Sequence, residues 1–184
     1  YFATNGINSM LTAFTMSYHI EKEQHKTFLV QQATAITLTL VITIFLIIST
    51  ILTIFGGHII DYVFDVVLNF SSPHLFWINI ARWLIIIAFV YFSVATIYFF
   101  GPKHEQKFFS PGASLATLFL ILFTLGFAFY VENFSTYNKL YGSIGTIMGI
   151  MLMIYLNSLA VLIGYELNAA INHASTHVKL DEYR

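Results

Sequence analysis

The 184-residue chain has no cysteine, three prolines and only seventeen charged side chains, eight Lys and Arg against nine Asp and Glu. Each scarcity removes a class of protein. Without cysteine there is no disulfide, no thiolate metal site and no cysteine nucleophile. With 9% of residues charged and 58% apolar, a water-facing surface cannot be built, because a soluble domain carries about a quarter of its residues charged. The formal net charge is -1 and no basic run occurs, so the phosphate neutralisation that drives nucleic-acid binding has no footing. No charged leader with a cleavage site follows Tyr1, so no signal peptide is read.

What the sequence has in abundance is long apolar runs. Four of them, 33–55, 78–100, 113–131 and 145–167, are long enough to cross a hydrocarbon layer of roughly 30 Å, which takes about 20 helical residues. Unpaired backbone groups are costly in lipid, and the runs lack the strict alternation of barrel strands, so they are expected to be helices. The fold class is therefore all-α, a polytopic transmembrane helical bundle forming a single membrane domain over 1–184. Residues 1–20 place Ile7, Met10, Leu11, Phe14 and Tyr18 at helical spacing, which suits the tail of an earlier span and suggests a fragment.

Orientation follows from the cations. Lys22, Lys26, Lys103, Lys107, Lys179 and Arg184 fall on one side of the four spans, and Arg82 and Lys139 on the other. The six-to-two bias places the first group, and with it the C-terminus, in the cytoplasm. Between the first two spans, 59–69 reads as an interfacial helix with Ile60, Val63, Phe64, Val67 and Leu68 on one face and Asp61, Asp65 and Asn69 on another. Asp61 and Asp65 at i, i+4 could hold a cation, but a solvated polar face is the simpler reading.

Several side chains could carry function. Thr39, Thr43, Thr50 and Thr53 share a face of the first span; they line a polar path or bond back to their own helix. Gly145 and Gly149 form a small-xxx-small pair suited to helix packing. In the last span Asn157 sits near the middle, and Val161, Gly164 and Asn168 follow on nearly the same face. An amide at that depth should face another helix or a cavity. Asn157, Gly164, Glu166 and Asn168 are thus the candidates for a polar pocket or a packing seam. Tyr137, Asn138, Lys139, Tyr141 and Gly142 are expected to form an ordered external rim. His173 and His177 are four apart near the C-terminus, yet there is no HExxH and no third ligand at helical spacing, so neither a metal nor a cofactor is expected. No nucleophile-elbow or phosphate-loop motif appears.

The string SPGASLATLFL from Ser110, and YVENFSTYNKLYGSIGTIMGIMLMIYLNSLAVLIGYELNA ending at Ala169, resemble the YihY/BrkB family of bacterial inner-membrane proteins. That family carries SPG before its penultimate span, YNxxYGSxG between the last two and LxGxELNA at the end. Tyr137, Asn138, Tyr141, Gly142, Ser143, Gly145, Gly164, Glu166, Leu167 and Asn168 occupy those places. Asn5-Gly6, Ala13-Phe14, Ser17-Tyr18 and Glu21 extend the resemblance more loosely, with Thr15 where an Asn is usual and Gln24 or His25 where an Arg is usual. The resemblance implies six spans with both termini cytoplasmic, of which this chain would hold four and the tail of another. Family members have been labelled ribonuclease BN or serum-resistance virulence factors. Phosphodiester hydrolysis wants clustered metal ligands or an acid/base set in water, and neither is legible, so the chain is not expected to be an enzyme. A transporter, channel or lipid-handling protein without its own ATPase is the leading expectation. The alternative is a non-catalytic envelope scaffold. The partners expected are membrane lipids and other membrane-protein subunits, with no nucleic acid.

Overall fold

The computed structural model describes residues 1–16, 28–62, 75–101, 108–133 and 143–182. Those residues form five helices: α1 (Phe2–Thr15), α2 (Phe28–Tyr62), α3 (Leu75–Phe100), α4 (Pro111–Asn133) and α5 (Ser143–Glu182). No strand occurs among the described residues. Segments Phe28–Phe55, Asn79–Phe100, Pro111–Glu132 and Ile144–Ser175 are each long and apolar enough to cross a membrane. The helix follows from the solvent: a run without polar side chains, placed in lipid, can satisfy its backbone groups only against itself.

The helices extend beyond the apolar runs. Residues 59–62, expected to open a separate interfacial helix, instead continue α2, which carries on through Gly56 and Gly57 because a break there would strand backbone donors and acceptors. The rest of that expected helix, with Asp65 and Asn69, lies outside the described residues. The 40 residues of α5 correspond to about 60 Å at 1.5 Å per residue, twice the hydrocarbon thickness, so the helix projects beyond the layer at its C-terminal end. Helix α1 stops at Thr15, where the Met16 N–H turns back to the Ala13 carbonyl at 3.1 Å; residues 17–20 of the expected partial helix also lie outside the described residues.

Helix α2 packs along α3 and α4 along α5, giving two hairpins, while α1 packs on both α2 and α5. The core sits at one end of this arrangement. It gathers Leu11 and Phe14 of α1, Ala35 and Leu38 of α2, Val94 to Tyr98 of α3, Ala113 and Ala116 of α4, and Val161 and Tyr165 of α5. Across 39–55, 79–93, 118–132 and 144–159 no described side chain is fully buried. Within a hairpin, contact continues along the length: Phe45 of α2 meets Phe89 of α3 at 5.8 Å between ring centroids, and Gly149 of α5 lies against the Phe127 ring of α4.

Candidate functional site

The end where the hairpins meet is built around the start of α4. Ser110 precedes Pro111, whose fixed φ and missing N–H suit the first helical position. The Ser110 Oγ accepts from the Ala113 N–H at 3.3 Å, as an N-cap residue does. The next free donor, the Gly112 N–H, is answered from another helix: it donates to Asn168 Oδ1 at 2.8 Å, and Asn168 Nδ2 donates to Ser110 Oγ at 2.8 Å. Ser110, Gly112 and Asn168 are all buried. One amide of α5 therefore caps α4, and the cap and the helix contact are the same structure. The contact is close because neither side carries a Cβ. A Cβ on Gly112 would fall 2.0 Å from the Gly164 carbonyl oxygen, and one on Gly164 would fall 2.5 Å from the Gly112 oxygen and 2.7 Å from Ala116 Cβ.

The same face of α5 meets α3 and α1. The Tyr98 hydroxyl donates to the Val161 carbonyl. Tyr165 stacks on Phe14, with ring centroids 4.0 Å apart and an interplanar angle of 13°, and both meet Tyr98 edge-on at 5.8 Å. These three are fully buried, so helices from three places in the chain share one aromatic knot. Such ring pairs add about 0.5–1.5 kcal/mol each beyond area burial. The chain after α3 is closed in beneath them: the Gly101 N–H bonds to the Ile97 carbonyl at 2.9 Å, and a Cβ there would meet Leu11 Cδ2 at 2.5 Å.

The stripe of Asn157, Val161, Gly164 and Asn168 thus turns toward the other helices, with Gly164 at the crossing and Asn168 at the cap. Asn157 lies one turn above Val161, at the boundary between the packed end and the part of the bundle with no fully buried side chain. Its Oδ1 is buried and has no hydrogen-bond partner among the described residues. Tyr165 Oη and Arg82 Nε are in the same state. Glu166 is half-buried and is engaged by a neighbour. Tyr137, Asn138, Lys139, Tyr141 and Gly142 lie outside the described residues. The threonine stripe resolves as self-bonded: Thr39, Thr43, Thr50 and Thr53 donate to the carbonyls of Ala35, Thr39, Leu46 and Ser49 at 2.6–2.8 Å. Thr43, Thr50 and Thr53 are exposed on the outside of α2. His173 is exposed. Among the described residues no three His, Asp or Glu side chains converge as metal ligands would.

Sequence reading missed Ser110, Gly112, Tyr98 and the Phe14–Tyr165 stack. Ser110-Pro111-Gly112 was legible only as a string shared with the family, though Ser followed by Pro is itself a helix-start signal. No local pattern announces a partner on α5, because the bond from Gly112 to Asn168 spans 56 positions. A further cross-helix link, from Gln31 Nε2 to Asn8 Oδ1 and Thr12 Oγ1 at 2.9 and 3.0 Å, ties α1 to α2 and was likewise unannounced.

Comparison with known proteins bears on these features together. The family model described as virulence factor BrkB matches residues 1–183. The chain belongs to this family. A Bacillus subtilis relative with the name ribonuclease-like protein YfkH is 30% identical over 175 residues, 92% of this chain and 62% of that protein. UPF0761 membrane proteins of Vibrio campbellii and Xanthomonas axonopodis pv. citri are 37% identical over 93 residues and 32% over 114, covering 49% and 60% of this chain. The alignments cover 29% and 27% of those two proteins, so this BrkB-family chain spans less than two thirds of the length of each relative. No solved structure matches.

Proposed function

We propose that this BrkB-family chain is a conduit of a bacterial inner membrane, passing a solute or a lipid between its two helix hairpins by a gradient or passively, without an ATPase and without catalysis of its own. The observation that supports it is the uneven burial. The hairpins are fastened at one end by Asn168, Gly112 and the aromatic knot, whereas no side chain is fully buried along the remaining described part of each span. At that boundary stands Asn157, whose carbonyl oxygen is buried and unanswered by any described residue. A buried acceptor left without a partner costs about 1–3 kcal/mol, a cost that a functional contact with cargo explains. The charge bias places the fastened end and the C-terminus in the cytoplasm, so the other end would open outward.

The name of YfkH suggests a second activity, but phosphodiester hydrolysis asks for metal ligands or an acid/base pair facing water. The described residues offer no such cluster. A scaffold that binds other membrane subunits is the competing reading, favoured by the exposed Leu40, Ile44, Ile47, Ile51 and Ile54 of α2. Reconstitution separates the two. The intact protein in sealed vesicles should speed the exchange of a fluorescent phospholipid between leaflets or the efflux of a trapped small solute, and Asn157→Leu should slow it while leaving thermal stability equal or higher. No acceleration of either by wild type would leave the scaffold.

A further inference from the structure

The chain has one Lys or Arg inside its four candidate spans, Arg82 of α3. It lies within about two turns of the Leu75 end of α3. Its Nε is buried with no hydrogen-bond partner among the described residues, and its guanidinium carbon stands 5.8 Å from the centroid of the neighbouring Trp83 ring. Trp83 is half exposed, as an indole at the membrane interface is.

We propose that Arg82 and Trp83 form a binding site for the phosphate headgroup of a membrane phospholipid, in the leaflet at the Leu75 end of α3. Three physical facts converge on it. A guanidinium cannot lose its proton and is costly to leave unpaired in hydrocarbon. At this depth the side chain reaches back to the plane of lipid phosphates, where its planar fork matches a phosphate with two parallel bonds. The ring of Trp83 holds the cation by its face and leaves the nitrogen edges for the ligand. A free phosphate ion offers the same oxygens, but the surrounding side chains, Leu84, Ile85 and Ile87, are exposed and apolar, which suits acyl chains beside the headgroup. The site is independent of whether the hairpins form a conduit.

The test uses the intact protein in detergent, titrated with three probes and read by native mass spectrometry: phosphatidylglycerol, diacylglycerol with the same acyl chains, and water-soluble glycerophosphate. Phosphatidylglycerol should bind, and the other two should bind about tenfold or more weakly. Arg82→Gln should lose the preference for the phospholipid, and Arg82→Lys should retain part of it, since an ammonium keeps the charge and loses the fork. Strong binding of glycerophosphate would assign the site to a free anion and overturn the proposal, as would an unchanged preference in Arg82→Gln. Should Arg82→Gln not fold, the native Arg82 can be read directly. The chain has two tryptophans, so in Trp77→Phe the emission comes from Trp83. Brominated phosphatidylglycerol should quench it at lower mole fraction than brominated diacylglycerol, and equal quenching by the two would refute the site.

Discussion

Gly112→Ala probes the junction of the hairpins most sharply, because the added atom meets backbone rather than a side chain that can turn away. Its Cβ would stand 2.0 Å from the Gly164 carbonyl oxygen, where ordinary contact begins at 3.4 Å. Taking the difference, α4 and α5 must part by about 1.4 Å at the crossing, an over-packing that costs typically 1–3 kcal/mol. The shift does not stop at packing. The bond from the Gly112 N–H to Asn168 Oδ1 is 2.8 Å long; lengthened by a similar amount it passes beyond hydrogen-bond range. A buried donor then goes unanswered for about 1–3 kcal/mol more. The total expected is about 2–6 kcal/mol, read as midpoint loss in thermal or detergent-denaturant unfolding followed by Trp fluorescence and size-exclusion chromatography. Gly164→Ala should behave alike. Asn168→Ala, which removes the bond without the clash, should cost about 1–3 kcal/mol. The double variant Gly112→Ala/Asn168→Ala should cost less than the sum of the two single variants, because both remove the bond from Gly112 to Asn168, although Asn168→Ala also gives up the bond to Ser110. An unchanged or raised midpoint in Gly112→Ala, or full additivity in the double variant, would refute the close-crossing argument.

Two buried tyrosines should respond oppositely to loss of the hydroxyl: Tyr98→Phe gives up the bond to the Val161 carbonyl and should lose about 0.5–1.5 kcal/mol, while Tyr165→Phe, whose oxygen has no partner among the described residues, should be neutral or slightly stabilising in the same unfolding assay. For topology, the absence of native cysteine allows single cysteines to be labelled in intact cells. Positions 61 and 139 should react from outside and positions 22, 103 and 179 should not; labelling of 103 from outside would reverse the orientation. In the segment outside the described residues, Gly142→Val should reduce folded protein, because the start of α5 needs ordered backbone partners. If the segment is only a structural turn, Asn138→Ala and Tyr141→Ala should lose function in proportion to abundance, and a loss of transport at normal abundance would make it a binding rim.

How far the molecule was legible in its sequence depends on the range of each interaction. The four spans were plain because hydrocarbon forces any long apolar run into helix, whatever its neighbours do. Their ends were less plain, since α2 continues past Phe55 to Tyr62 and α5 to Glu182 through residues whose composition does not demand a span. The inward face of α5 was legible from Asn157, Gly164 and Asn168, because polar and small side chains in lipid must find protein. Which helix answers them was not legible. Gly145 and Gly149 satisfied the small-xxx-small pattern, yet the backbone-to-backbone crossing of α4 and α5 at the cap uses Gly112 and Gly164, one from each helix, and no single-helix periodicity encodes such a pair. The threonines of α2 were a true ambiguity, settled by their bonds to their own turns.

Position 157 decides the central claim most directly. The native Asn157 carries a buried oxygen, unanswered by any described residue, at the boundary between the fastened end and the remainder of the spans. In the otherwise cysteine-free protein, Asn157→Cys should be modified in native membranes by a small, membrane-impermeant thiol reagent, more slowly than a cysteine placed at position 139, because a path for cargo must be wetted as far as the residue that greets it. A cysteine at 157 that stays unmodified while the one at 139 reacts to completion would mean a sealed interior, and would contradict the conduit.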